Sequence, residues 1–215
     1  IASQDPTLNA FIAVFSNEVR TEADAADRAM AQGHIKGRLH GIPVSLKDIL
    51  DVKGVATTAA SRVRLGHRAT RDAVVVSRLR AAGAIIIGKC NLHEFAFGTT
   101  GEDSAAGPTR NPHDHERIPG GSSSGSAVSV ASGMAIASIG TDTGGSIRIP
   151  ASACGVVGLK PTFAEVPCGG VVPLAPTLDH VGPLTRTVAD ADLLYRTISN
   201  NSTAIDPSMA QRKEE

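Results

Sequence analysis

Polar or small-residue stretches of helical length alternate with short apolar runs along this chain, a rhythm that predicts helices feeding buried strands. Residues 16–32 read as a polar, Ala-rich helix closed by Gly33, and Gly37-Arg38-Leu39-His40-Gly41-Ile42-Pro43 then supplies turn residues. Residues 44–50 alternate only partly, the pattern of a short buried strand that runs into a turn and carries Lys47 in apolar company. Asp72 is placed to cap a helix over 73–82, whose Gly83 end leads into the β-branched run Ala84-Ile85-Ile86-Ile87-Gly88. That helix-to-strand step is the pattern of a buried α/β sheet. After a loop-rich stretch over 101–121, residues 124–134 have the small-residue content of a tightly packed helix, and 135–140 follow as a strand. Val156-Val157-Gly158-Leu159 is a further short apolar run. Thr187-Val188-Ala189-Asp190 resembles a helix-capping arrangement, with Asp in place of the usual Glu, for a helix ending near Ile198. The polar stretch 200–215 is expected to be a frayed tail. No repeat or low-complexity linker divides the chain, so residues 1–215 are expected to form one α/β unit.

Composition narrows the function. A chain of 215 residues with 41% hydrophobic and 20% charged content buries a substantial core. Lys+Arg and Asp+Glu are both 21, so no global field points to nucleic acid or an anionic membrane. Aromatics at 3% and the absence of Trp argue against a base-stacking surface. Cys90, Cys154 and Cys168 form no Cys-x-x-Cys pair and fit reduced thiols of the cytoplasm, serving as small buried side chains. The first residues lack both a basic start and an apolar run, and the most apolar long stretch, 127–139, is broken by serines and Gly133, so neither secretion nor membrane insertion is expected. The absence of an initiating Met suggests a processed or partial chain.

Candidate chemistry sits in two serine-glycine clusters, Gly120-Gly121-Ser122-Ser123-Ser124-Gly125-Ser126 and Gly140-Thr141-Asp142-Thr143-Gly144-Gly145-Ser146-Ile147-Arg148. Glycines permit a close-approaching backbone whose amides point at a developing oxyanion. Residues 121–125 match the G-x-S-x-G nucleophile elbow with Ser123 in the middle and His180, beside Asp179, as base, but an elbow needs a strand upstream and a loop stands there instead. No Gly-Lys-Ser/Thr follows to make a phosphate loop. His113 and His115 flank Asp114 on a loop, which is weak as a metal set, and none is assigned. A flexible linker would account for one glycine-serine run, but not for two that bracket a helix and a strand.

Four ordered blocks closely resemble successive motifs of the amidase signature family. They are Gly41-Ile42-Pro43-Val44-Ser45-Leu46-Lys47-Asp48, the two clusters above, and Cys154-Gly155-Val156-Val157-Gly158-Leu159-Lys160-Pro161-Thr162. The stretch from Lys89-Cys90-Asn91 to Asn111-Pro112, and Leu178-Asp179-His180-Val181-Gly182-Pro183, also look like family segments. The resemblance implies an α/β fold with a mixed β-sheet core flanked by helices, and a carboxy-terminal half, missing from this chain, that completes the sheet and much of the pocket. It implies Ser146 as the acylated nucleophile, Ser122 as a bridging serine entered through a cis peptide bond, and Lys47 as the base. It also implies an oxyanion hole from the backbone amides of Thr143, Gly144, Gly145 and Ser146, with no metal or organic cofactor. Lysine serves as a base only where a low-dielectric site lowers its pKa, and Asp48 next door is the residue that would turn Lys47 into an ordinary paired lysine. Arg148 fits a structural ion pair as well as a substrate contact.

The implied activity is hydrolysis of a small-molecule amide, with a homodimer as an open assembly. Two other readings remain open: the glutamine-hydrolysing component of a tRNA-dependent amidotransferase, which brings partner subunits, and an inactive truncated protein that only binds. Phe163-Ala164-Glu165-Val166-Pro167-Cys168 stands where such amidotransferase components commonly have a basic residue and a Tyr-Gly pair, and His180 where they often carry Gln. Those departures favour a stand-alone amidase.

Overall fold

The computed structural model describes residues 1–200, so the expected tail lies, from residue 201 onward, outside the described residues. Helices and strands follow in the order α1 (Asp5–Leu8), β1 (Phe11–Val14), α2 (Ser16–Ala31), β2 (Pro43–Lys47), α3 (Val74–Ala81) and β3 (Ile85–Cys90). They continue with α4 (Ser124–Ala131), β4 (Ala137–Asp142), α5 (Arg148–Cys154), β5 (Val157–Gly158), β6 (His180–Thr185) and α6 (Val188–Ile198). The strands form one six-stranded sheet in the order β1-β3-β2-β4-β6-β5. Its centre, β3-β2-β4, is parallel, and the flanking pairs are antiparallel, so the sheet is mixed as expected.

Both faces of the sheet are covered, which explains the β-branched run of β3. Side chains alternate across a strand, and Ile86 joins a core with Leu46, Leu79 of α3 and Leu194 of α6, whereas Ile85 and Ile87 join the opposite core with Val128 of α4 and Ala151 of α5. Helix α2 has no buried residue, and it lays Val19, Ala23 and Ala26 against the second core, which suits its alanine-rich, charged sequence.

The capping expectations divide. At α6 the Thr187 hydroxyl accepts from the Asp190 amide at 3.1 Å, the N-cap bond the local sequence announces, while the Asp190 carboxylate accepts from that same hydroxyl at 2.7 Å instead of from the Thr187 amide of a full capping box. Asp72 does not cap α3. Ala73 occupies the N-cap without a side-chain bond, while the Asp72 carboxylate accepts from the Lys53 amide at 2.7 Å and pairs with Arg80 at 3.4 Å. Tertiary partners took a carboxylate that local sequence reserves for the helix end.

One glycine decides how closely α4 approaches the sheet. A Cβ on Gly125 would collide with the Ala10 carbonyl oxygen and the backbone of Asn91. These are main-chain atoms tied to one another and to the helix by the Asn91–Ala10 and Gly125–Asn91 hydrogen bonds, so neither side yields easily. Gly125→Ala is expected to lower stability by about 1–3 kcal/mol, the usual cost of overpacking. Urea denaturation of the purified variant and parent measures it.

Candidate active site

Parallel pairing aligns the carboxyl ends of neighbouring strands, and in open α/β sheets that edge is where ligand crevices form. Here the register Val44↔Ala137, Ser45↔Ser138 and Leu46↔Ile139 brings the last residue of β2, Lys47, beside the last residues of β4, Thr141 and Asp142. The loop before α4 delivers Ser122, and the loop from β4 to α5 delivers Ser146. The Gly121–Ser122 peptide bond is cis. The structure thus brings Lys47, Ser122 and the 143–146 loop to one edge of the sheet.

Lys47 is fully buried. Its Nζ lies 2.7 Å from Ser122 Oγ and 2.9 Å from Thr141 Oγ1, both hydroxyls. Burial drives its pKa down to about 7, and the more distant negative charges of Asp142 and Asp179 offset only part of that. Asp48 does not pair with Lys47. Its carboxylate is taken on the other side of the strand by Lys89, at 2.6 Å in a pair whose side chains are each 1% exposed, and by the amide and hydroxyl of Thr58. The chain therefore buries two lysines in opposite ways: Lys89 compensated by an anion, Lys47 among neutral hydroxyls.

Asp142 shapes the loop that carries Ser146. Its fully buried carboxylate accepts from the Gly145 amide at 2.8 Å, the Ile147 amide at 3.1 Å and the Arg148 guanidinium at 3.0 Å through both Nε and Nη2. Burial alone would raise its pKa, but Arg148 and the loop amides outweigh that and hold it below the usual carboxylate range. Arg148 is thus a structural ion-pair partner rather than a free cation. The Gly145 amide is committed inward, whereas among the described residues the amides of Thr143, Gly144 and Ser146 have no protein acceptor. Of the four amides assigned by resemblance, three therefore remain open to a ligand. Gly145 adopts φ +129°, and a Cβ on Gly144 would meet nothing within 4 Å, so the loop faces open space there. Ser146 retains 8% exposure while Ser122 has none. No direct hydrogen bond joins their two hydroxyls among the described residues.

The nucleophile-elbow alternative fails here. Ser123 is fully buried and donates to the Thr141 carbonyl at 3.1 Å, stitching α4 to β4, and among the described residues no hydrogen bond joins it to His180. His113 Nε2 donates to the Cys154 carbonyl at 2.9 Å. Cys90 and Cys154 are buried as expected, with their thiols pushed up by burial to about 11 and about 12, but Cys168 is exposed. Thr141 and Asp142 acquired no role from sequence alone, although both stand inside the glycine motif. Their partners, Lys47 and Arg148, become visible only when β2 and β4 are side by side.

The family described as Amidase matches residues 1–215. The chain belongs to the amidase family. It is 54% identical over 201 residues to the A-type subunit of glutamyl-tRNA(Gln) amidotransferase from Anaeromyxobacter sp. (strain K), covering 94% of this chain and 41% of that protein. The native peptide amidase of Stenotrophomonas maltophilia superposes with a TM-score of 0.88 at 42% identity, over 100% of this chain and 45% of the other. The corresponding A-type subunit of the Thermotoga maritima glutamyl-tRNA(Gln) amidotransferase gives a TM-score of 0.81 at 46% identity, over 91% of this chain and 40% of the other. The chain thus spans about two fifths of the length of the curated relatives it matches.

The two-lysine contrast yields a stability test. Removing one partner of a buried pair leaves an uncompensated charge and costs about 3–5 kcal/mol. Lys89→Met in this amidase-family chain is expected to fall in that range by chemical denaturation. A change below about 1 kcal/mol would show that Asp48 finds another partner or protonates.

Proposed function

We propose that this chain carries the catalytic centre of an amide hydrolase in which Ser146 is acylated and Ser122 relays its proton to Lys47. The observation that carries this reading is Lys47 itself, a buried amine with a pKa of about 7 held against Ser122 Oγ at 2.7 Å and with no salt-bridge partner among the described residues. At that pKa a large share of the amine is neutral near pH 7, able to donate to Thr141 while accepting the Ser122 proton. A charged lysine could only donate.

In the proposed sequence, Ser146 Oγ attacks the amide carbonyl carbon as its proton passes to Ser122 Oγ and the Ser122 proton passes to Lys47 Nζ. A turn of the Ser146 side chain or one bridging water closes the step between the two hydroxyls. Negative charge developing on the carbonyl oxygen is met by the open amides of the 143–146 loop. The C–N bond breaks as the proton returns through Ser122 to the leaving nitrogen, and water then cleaves the ester by the same route. No step calls for a metal or organic cofactor.

The second reading, a glutamine-hydrolysing component working with partner subunits, is favoured by the amidotransferase relatives, while the 163–168 and 180 departures favour the lone hydrolase. Subunits of fixed stoichiometry co-purifying with the natural protein would support the former. A protein that binds amides without ever forming a covalent adduct would be a binding module instead.

A serine-directed fluorophosphonate is expected to label Ser146 and to lose its site in Ser146→Ala, as read by peptide mass spectrometry; labelling at Ser123 with Ser146 untouched would sink the assignment. The acylation rate is expected to rise with pH through an apparent pKa near 7, because the protonated amine cannot accept a proton and the neutral one can. Lys47→Ala is expected to lower the rate by about 10²–10⁴-fold and to remove that inflection. A Lys47→Ala protein with the parent pH–rate profile would place the base elsewhere.

A further inference from the structure

Lys47 belongs to a row of three buried ionisable side chains that crosses two strands. Asp48 follows it directly after β2, and Lys89 stands on β3, where the register Leu46↔Lys89 and Lys47↔Cys90 sets it one step from the position opposite Lys47. None of the three is more than 1% exposed, so the groups that touch them lie within the described residues. Lys89 Nζ is 2.6 Å from Asp48 Oδ1, an oxygen with no other partner among the described residues. The second oxygen, Oδ2, accepts from the Thr58 amide at 3.0 Å and from the Thr58 hydroxyl. Lys89 also donates to the Ala56 carbonyl at 3.3 Å and the Thr57 hydroxyl at 3.4 Å. Among the described residues Lys89 is thus the one cation within ion-pair distance of Asp48.

A buried ion pair is often no more stabilising than apolar side chains of the same volume, so stability alone does not account for two ions beside the strand end that carries Lys47. Their effect on Lys47 does. In a water-poor interior a full charge acts on its neighbours with little screening. An unpaired anion there favours the ammonium form of Lys47, and an unpaired cation favours the neutral amine. The closed pair presents neither. The remaining groups around Lys47 are neutral or already engaged. On β3, Cys90 stands opposite it with a thiol pushed up to about 11 by burial, on β4 Asp142 is paired with Arg148, and Ser122 and Thr141 bring hydroxyls. Asp179 and His180 line a cavity of about 160 Å³ beside the cluster. The Asp179 carboxylate accepts from Thr143 Oγ1 at 2.6 Å and from the Leu174 and Ala175 amides, and His180 Nδ1 meets the Leu178 and Asp142 carbonyls.

We propose that Lys89 is a positioning residue for the proton relay: by closing the Asp48 charge into a neutral pair, it leaves Lys47 as the unprotonated amine that accepts the Ser122 proton. Among the described residues Lys89 hydrogen-bonds to neither Ser122 nor Ser146, so it acts through Asp48. The inference rests on the proposed hydrolase reading for its kinetics, while the ionisation of Lys47 has a readout of its own. The two halves of the pair act with opposite sign. Removing the cation leaves Asp48 charged, which moves the protonation of Lys47 to higher pH and lowers the rate at neutral pH. Removing the anion leaves Lys89 charged and moves that protonation to lower pH. Removing both leaves it where it was.

The test uses the natural protein carrying Lys89→Met, Asp48→Asn and the two combined. The pH profile of fluorophosphonate labelling at Ser146 is expected to shift upward by at least about half a pH unit in Lys89→Met and downward by a similar amount in Asp48→Asn. In the double variant it is expected to return to the parent position. In parallel, the Cε resonance of Lys47 is followed against pH by NMR in protein made with ¹³C-labelled lysine, assigned by its loss in Lys47→Arg, and is expected to titrate with the same three displacements. Should one single variant fail to fold, the other single and the double decide. Shifts of the same sign in the two single variants, profiles that do not move, or a double variant displaced as far as a single one overturns the assignment; a merely structural role for the pair moves no inflection in opposite directions. An unlabelled Ser146 in the parent protein, with the Lys47 resonance displaced as expected, overturns the hydrolase reading and leaves the pair's control of Lys47 in place.

Discussion

The site depends on a buried amine left without an anion. Desolvation of Lys47 lowers its pKa to about 7, and any carboxylate within direct contact would undo this by favouring the ammonium form. Three carboxylates are near enough in sequence or space to do so, and each is occupied, Asp179 by the Thr143 hydroxyl and the Leu174 and Ala175 amides. Asp48 turns to Lys89 on the opposite side of the strand, and Asp142 is spent on Arg148 and the loop amides. The second buried lysine and the half-exposed arginine thus share a consequence: they hold charge away from the amine.

Asp142 also ties the electrostatics to the loop's shape. Its carboxylate accepts from Gly145 and Ile147, the residues on either side of Ser146, so the orientation of that serine follows from a group at the end of β4. Ser123 adds a second tie, from the start of α4 to the Thr141 carbonyl, and its amide donates to the Ser146 carbonyl at 3.1 Å. Lys47 and Thr141 stand on adjacent parallel strands, so a displacement of either loop is resisted by the sheet itself. The chemistry asks for placement within a fraction of an ångström, and hydrogen bonds to backbone on rigid elements are the means this fold uses.

The sequence made visible whatever repeats at short range. The β-branched run announced β3, the small-residue stretch announced α4, and the glycine spacing announced both serine loops. It missed β1 and β6, whose residues lack clean alternation and are strands because a neighbour pairs with them, and α5, which begins Arg148-Ile149-Pro150 without a capping side chain. Asp72 is the clearest local misreading: a capping residue in the right place was taken by Lys53 and Arg80. The pairing choices of Asp48 and Asp142 were equally hidden, because adjacency in the chain places Asp48 next to Lys47 while strand alternation turns it to the other face.

On the proposed reading, the chemistry and the cavity beside it draw on different stretches of the chain. Lys47, Ser122 and Ser146 sit on strand ends and on loops braced by the central sheet, whereas most of the aliphatic cavity wall comes from residues 171–181. The segment just before that wall, 163–168, and His180 within it are where the sequence departs from the amidotransferase pattern. The two stretches meet at one hydrogen bond, from the Thr143 hydroxyl to the Asp179 carboxylate, which also holds the Leu174 and Ala175 amides. Asp179 therefore fixes the cavity wall against the loop that carries Ser146.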